Sequence, residues 1–406
     1  MPQKSTQAVT VLILVGTGSK YETKQTSGIS HFLEHMFFKG TRKRPDKLEI
    51  AETLDRIGGI YNAFTGEEYT GYFAKVASAK FDLALDWVSD IFLNSILPEK
   101  EVNREKGVII EEINMVNDNP MVYVETLWNK LLYGDQPAGW DIAGTKESVS
   151  QTNRQKILDY MQSQYIAQNT IVCVAGNIND TQAISKVKKT FTHIRDAKPS
   201  LKPKVVERQN QPECLLHFKK TDQTHLCLGV RGYNFFHPKR YVQDVLGIIL
   251  GGMMSSRLFM EIREKLGIAY YVRTNINANP DTGSLVTQAG IDNKNVERAV
   301  STILREYKKL SQKKVPPSEL KKAKDHINGK MALMLESSDA LASFYAGQEL
   351  LEKKILTPQE IYAKINKVTG EDILKVSRDI FQPQKLNLAL IGPFKDKTRF
   401  QKILKI

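Results

Sequence analysis

The sequence predicts an α+β protein made of two homologous units, each a mainly antiparallel sheet packed with helices. Three observations predict it. The chain has 406 residues, more than the ~250–300 at which a single hydrophobic core stops growing. Helical and strand-like periodicities mix along both halves. One pattern also recurs: a helix-like segment, an aromatic residue and a short strand closing on glycine. It runs from Ile157-Leu158 through Tyr165 to Gly176, and again from Ile373-Leu374 through Phe381 to Gly392, at a gapless spacing of 216 residues. One copy ends near mid-chain and the other near the C-terminus, as a duplication of a ~200-residue unit requires.

The elements follow in order. Residues 8–15 are apolar and β-branched, a strand. In 45–57, Ile50, Leu54 and Ile57 share a helical face, which stops at Gly58-Gly59. Strands over 60–65 and 70–76 flank a turn at Gly66-Glu67-Glu68, and Phe81, Leu85, Val88 and Phe92 mark an amphipathic helix. Residues 195–212 are polar, contain three prolines and lack helical periodicity. They divide the chain into units over 1–195 and 213–406, with a linker over 196–212. In the second unit, 269–277 and 284–289 flank a hairpin signal at 279–283, and helical patterns cover 295–310 and 317–351.

Composition narrows the class. Hydrophobic residues are 41% and charged residues 25%, ordinary globular values that exclude fibrous or largely disordered chains. The net charge is +13, but its 58 basic residues are spread along the chain. With no dense basic arm or nucleic-acid motif, this charge reads as solvated surface. Apolar runs such as 11–15 are far short of the ~20 residues of a membrane span, and no small-residue cleavage site follows 8–15. Three scattered cysteines make no disulfide framework. The expectation is a soluble cytoplasmic protein with neither a membrane nor a nucleic-acid partner.

The strongest chemical signal is HFLEHMFF over 31–38. Residues four apart on a helix lie one above the other, so His31 and His35 can offer two imidazoles to one ion. Glu34 lies within reach of a water on that ion, and Gly40 offers a helix stop. This is the H-x-x-E-H arrangement of zinc peptidases. With three protein ligands and an open position, zinc lowers the pKa of its water to ~7, and a neighbouring carboxylate can take the proton. Two hydrogen-bonded core histidines would share this spacing, so a third ligand is needed. The helix over 98–117 carries a stripe of Val102, Glu105, Ile109, Glu112 and Val116. A carboxylate on a buried face is expensive unless it is paired or binds metal. Glu112 and Glu105 are therefore the candidates for ligand and supporting residue, with Glu111 on the flank as runner-up.

HFLEHMFFKGT, IGGIYNAFT, REKGVIIEEINM, GDQPAGWDIAGT and, in the second unit, SSRLFMEIREKLGIAYYV together resemble the inverzincin insulinase/pitrilysin family. The closer match is its bacterial, mitochondrial-processing-peptidase-like branch, over nearly the whole chain. The resemblance implies the two-unit metallohydrolase fold of the LuxS and mitochondrial-processing-peptidase type. It makes His31 and His35 zinc ligands and Glu34 the general base. Glu112, 77 positions after His35, becomes the distal ligand and Glu105 its supporting acidic residue. The family's Arg/Tyr pair falls on Arg263 and Tyr270, expected to bind the substrate backbone or its oxyanion. Asn62 and Ala63 match an edge strand on which extended peptide aligns by β-augmentation.

The resemblance also implies one Zn²⁺ per chain, a homodimer, and two units enclosing a chamber for unfolded peptide. Arg263 and Tyr270 then serve the zinc of their own chain or of the partner. The second unit has no H-x-x-E-H of its own. Two departures stand out. The family begins with about twenty further residues forming a first strand, so either the chain is truncated or the first sheet lacks an edge strand. Ile60 also replaces a more usual polar residue. The implied function is a zinc-dependent endopeptidase hydrolysing short or unfolded polypeptides, with zinc-bound water activated by Glu34. The alternatives are a non-catalytic scaffold or regulatory subunit of a heteromeric peptidase and, on charge alone, a nucleic-acid-binding protein.

Overall fold

The computed structural model describes residues 1–406. The first half runs β1 (Ala8–Val15), α1 (Ile29–Met36), α2 (Lys47–Asp55), β2 (Ile60–Thr65), β3 (Thr70–Ala77), α3 (Phe81–Leu93), α4 (Glu99–Asp118), α5 (Pro120–Tyr133), α6 (Lys146–Ser150), α7 (Arg154–Gln164), β4 (Thr170–Gly176) and α8 (Asp180–Thr190). The second half runs β5 (Glu213–Phe218), β6 (Gln223–Arg231), α9 (Arg240–Gly251), β7 (Ala269–Ala278), β8 (Gly283–Asp292), α10 (Val296–Gln312), α11 (Pro317–Met334), α12 (Ser338–Gly347), α13 (Pro358–Asn366), α14 (Gly370–Ile380), β9 (Leu386–Gly392) and α15 (Thr398–Ile403).

The repeat is exact at the level of elements. Helix α7 and strand β4 begin and end 216 residues before α14 and β9. The aromatics between them, Tyr165 and Phe381, both end their helices, at φ,ψ of −90°,73° and −84°,65°. Both helices start on a capping side chain: Asn153 accepts from the Lys156 N–H and Thr369 from the Asp372 N–H.

The first unit has a four-stranded antiparallel sheet, β2-β3-β1-β4, and the second a five-stranded sheet, β5-β9-β6-β8-β7, antiparallel except for β5 beside β9. The extra strand β5 lies on β9. On the equivalent side of β4, pairing is confined to a bridge between Pro2 and Gly176. At the other end of each sheet, β2 and β7 are edge strands.

Strand β1 is apolar at nearly every position because both faces of its sheet are covered. Val9, Val11, Ile13 and Val15 pack with Phe32, Leu33, Trp87 and Val88, while Leu12 and Leu14 meet Ala342, Ala346 and Leu350. The cover on that second face is α12, which comes from the other half of the chain. The exchange is reciprocal: Val124, Leu127, Trp128 and Leu132 of α5 pack with Cys227, Val286, Ala389 and Ile391 of the second sheet.

The compact units are accordingly discontinuous. One comprises Met1–Met115, Trp140–Pro203 and Ala332–Ile355; the other comprises Val116–Gly139, Lys204–Met331 and Leu356–Ile406. These contact-defined units differ from the spans 1–195 and 213–406 read from the sequence where α5 and α12 change sides. The physical reason is that each sheet needs an apolar helix on its second face, and that helix is supplied by the opposite half. The helical pattern over 317–351 is likewise not one helix. Helix α11 ends at Met334 and Ser337 caps α12 through the Ala340 N–H.

Residues 196–212 form no helix or strand, as expected, but they are bonded along their length. Within the first unit, Lys202 pairs with buried Glu68. Within the second, the Val206 N–H donates to Gln136 Oε1 at 2.9 Å and Gln209 Nε2 donates to the Leu386 carbonyl at 3.0 Å.

Candidate metal centre

The centre is built on α1, a helix of eight residues. Isolated helices this short are marginal in water, so tertiary contacts must hold it. At its start, Gly28 adopts φ +87° and provides no side-chain cap. The buried Glu22 carboxylate caps instead, accepting the Gly28 N–H at 2.7 Å and the Ser30 N–H at 2.9 Å. Burial pushes the Glu22 carboxyl up to about 8, against these bonds from Ser30 and Gly28, which favour the anion. Gly28 and Gly144, the second glycine of the GWDIAGT segment, approach backbone to backbone. A Cβ on Gly28 would lie 2.4 Å from the Ala143 carbonyl oxygen, and one on Gly144 2.4 Å from that of Ser27. Beyond the helix, Phe37 packs among Tyr72, Phe92 and Tyr165. Helix α1 ends at Met36, four residues before the expected stop at Gly40.

Helical spacing brings His31 Nε2 and His35 Nε2 to 3.3 Å. Helix α4 adds Glu112 Oε2, 3.6 Å from His31 Nε2 and 3.5 Å from His35 Nε2. Ligands ~2.1 Å from a tetrahedral ion stand about 3.4 Å apart, which is the size of this triangle. His35 Nδ1 lies 2.9 Å from Glu105 Oε1, and Lys39 Nζ closes on Glu105 Oε2 at 2.9 Å. With its proton on Nδ1, His35 directs a lone pair from Nε2 into the triangle. With His31 likewise protonated on Nδ1, three acceptor atoms converge, a set that suits a cation. The His₂Glu donors fit zinc.

Burial lowers His31 to about 4, helped by the nearby His35, so its imidazole is neutral and able to ligate. Burial opposes a charge on His35, but the Glu105 hydrogen bond with the Glu112, Glu105 and Glu34 charges outweighs it and raises its pKa. Burial also raises Glu34, against the hydrogen bond in which Thr65 Oγ1 donates to Glu34 Oε2 at 2.5 Å. Glu111 is exposed and outside the triangle.

Other expected residues have definite places. Asn62 and Ala63 lie on edge strand β2, where the Ala63 N–H donates to Asn62 Oδ1 at 2.9 Å. Ile60, at the start of this strand, is exposed. In the second unit, the Arg263 guanidinium lies 5.0 Å from the centre of the Phe259 ring. Tyr270 is 77% exposed on edge strand β7, where a register shift between Ala269 and Tyr271 marks a β-bulge. Bulges re-aim side chains and are common beside active sites. Sequence reasoning missed Glu22, Lys39 and Thr65. Lys39 had a signal, one helical turn beyond His35, whereas the others reach α1 only through the fold.

Comparison with known proteins places these residues in context. The family profile described as insulinase (peptidase family M16) matches residues 1–146, and the peptidase M16 inactive domain matches 151–327. An uncharacterized zinc protease of Bacillus subtilis, YmxG, is 38% identical over 388 residues, covering 95% of this chain and 93% of its own. An uncharacterized zinc protease of Streptomyces coelicolor is 33% identical, covering 97% and 86%. Among solved structures, a protease from Helicobacter pylori superposes with a TM-score of 0.90 at 24% identity, covering 97% of this chain and 96% of its own. A peptidase M16 inactive domain protein from Pseudomonas fluorescens gives 0.89 at 16%, covering 97% and 95%. These two likenesses concern the fold.

Proposed function

The chain belongs to peptidase family M16, the insulinase family, and from that premise we propose that it is a zinc-dependent endopeptidase acting on short or unfolded polypeptides. The observation that carries the reading is the triangle of His31, His35 and Glu112 donors, with the Glu34 carboxylate beside it. These three residues would hold one zinc ion per chain. When bound, zinc supplies Lewis-acid polarisation of the reacting oxygens.

The chain's own residues do the rest. Glu34 takes a proton from the attacking water and returns it to the leaving amine. Glu105 fixes the His35 ring, and Lys39 fixes Glu105. The open edge of β2 at Asn62 and Ala63 offers backbone groups to an extended peptide. Arg263 and Tyr270 bind substrate and its developing negative oxygen. The working form is a homodimer, which sedimentation of the purified chain tests directly.

The deciding experiment measures zinc content and cleavage of an unstructured peptide for wild type and Glu34→Gln. The variant is expected to retain zinc and lose turnover. Equal cleavage by both proteins would refute Glu34 as base. A zinc-loaded wild type that cleaves nothing would favour the scaffold reading.

A further inference from the structure

We propose that Thr65 is a positioning residue for Glu34, tying the catalytic carboxylate to the strand that receives substrate. The inference rests on the reading of Glu34 as general base and goes beyond it by naming what aims that base.

Thr65 is the last residue of β2, opposite Thr70 of β3. The turn that follows is held from several sides. The Gly66 N–H donates to the Tyr69 carbonyl at 2.8 Å, while the Ser19 and Lys20 N–H groups donate to the carbonyls of Gly66 and Glu67 at 3.2 and 3.0 Å. The buried Glu68 carboxylate receives Lys20 Nζ at 3.1 Å and also pairs with Lys202. Thr65 is thereby set on a rigid support, and its hydroxyl donates to Glu34 Oε2.

A glutamate side chain has three rotatable torsions, and its terminal one is broad. Without a fixed donor the carboxylate would sample several orientations beside the histidines. With Oε2 held by Thr65, Oε1 remains to accept a proton in one defined place. Strand β2 pairs only with β3, so its other edge is open. A peptide aligned on that edge follows the strand to the residue whose hydroxyl orients the base. Substrate alignment and base alignment thus share one strand, the arrangement that productive proton transfer needs.

The test compares Thr65→Val, which keeps the shape and removes the hydroxyl, with Thr65→Ser, which restores the hydroxyl. Zinc content, kcat and KM are measured on an unstructured peptide, and the Glu34 rotamer is read from crystal structures of the metal-free variants. Thr65→Val is expected to lose about tenfold to a hundredfold in kcat with zinc content and KM unchanged. Its Glu34 carboxylate should leave the wild-type position. Thr65→Ser should recover both turnover and rotamer. Wild-type kcat and an unmoved Glu34 in Thr65→Val overturn the inference alone, provided Glu34→Gln is inactive. Full turnover in Glu34→Gln instead overturns the reading of Glu34 as base, and this inference with it.

Discussion

His35 and Glu105 are joined across seventy residues of sequence by a 2.9 Å contact between Nδ1 and Oε1. Burial alone would raise the Glu105 carboxyl. Hydrogen bonds from His35 and Lys39, with their charges, win and hold it below its ordinary value. The carboxylate is therefore ionised near neutrality and holds the Nδ1 proton of His35. Replacing Glu105 by Gln removes the charge that Lys39 and His35 share. Zinc affinity, measured by competition with a chelator, should fall about 10–100-fold. An unchanged affinity would show that the ring is oriented by packing alone.

Glu111 and Glu112 are adjacent on α4 but differ in direction by the ~100° that one helical residue turns. Only Glu112 reaches the two imidazoles. Glu112→Gln should reduce bound zinc to below about a tenth of an equivalent under mild dialysis, because a carboxylate ligand is lost. Glu111→Gln should retain the wild-type content by elemental analysis.

The Glu22 cap makes a prediction about pH. Its carboxyl stands at about 8 in the folded chain against an ordinary 4.5. The folded state thus keeps a proton that the unfolded state releases. Its contribution to stability is fully present below about 4.5 and is lost as pH rises through about 8, with a slope of up to ~1.4 kcal/mol per pH unit. Urea unfolding of the metal-free protein between these limits should show this decline, with less of it in Glu22→Gln. Identical pH slopes in the two proteins would contradict the assignment.

Trp128 is among the largest fully buried side chains and lies on the exchanged helix α5. Trp128→Ala should destabilise the second unit by about 3–5 kcal/mol. Hydrogen exchange should then speed up first in β6 and β9, whose Cys227, Ala389 and Ile391 belong to the same core cluster. Faster exchange in β1 and β3 alone would show that α5 is not what covers this sheet.

Much of the first sheet and the metal helix was legible in the sequence. Strand β1 matches the apolar run over 8–15, and α3 matches the stripe of Phe81, Leu85, Val88 and Phe92. The hairpin of β7 and β8 forms around the predicted turn. Helix α4 was legible too, but its stripe left Glu111 as a competitor to Glu112 until the family spacing was added. The break between α11 and α12 was not read, because the helical pattern continues across the Ser337 cap.

What the sequence determined by itself is what backbone periodicity sets within a few residues: the strands, the helices, and the placement of His31, Glu34 and His35 on one short helix. The repeat at 216 residues belongs with these, since duplication preserves spacing. Only tertiary structure decided that Glu22 caps α1, that Thr65 meets Glu34, and that α5 and α12 change units. Those pairings depend on which apolar faces remain uncovered after local structure forms, and on which buried polar atoms still require a partner. Neither condition has a local period, so packing had to resolve them.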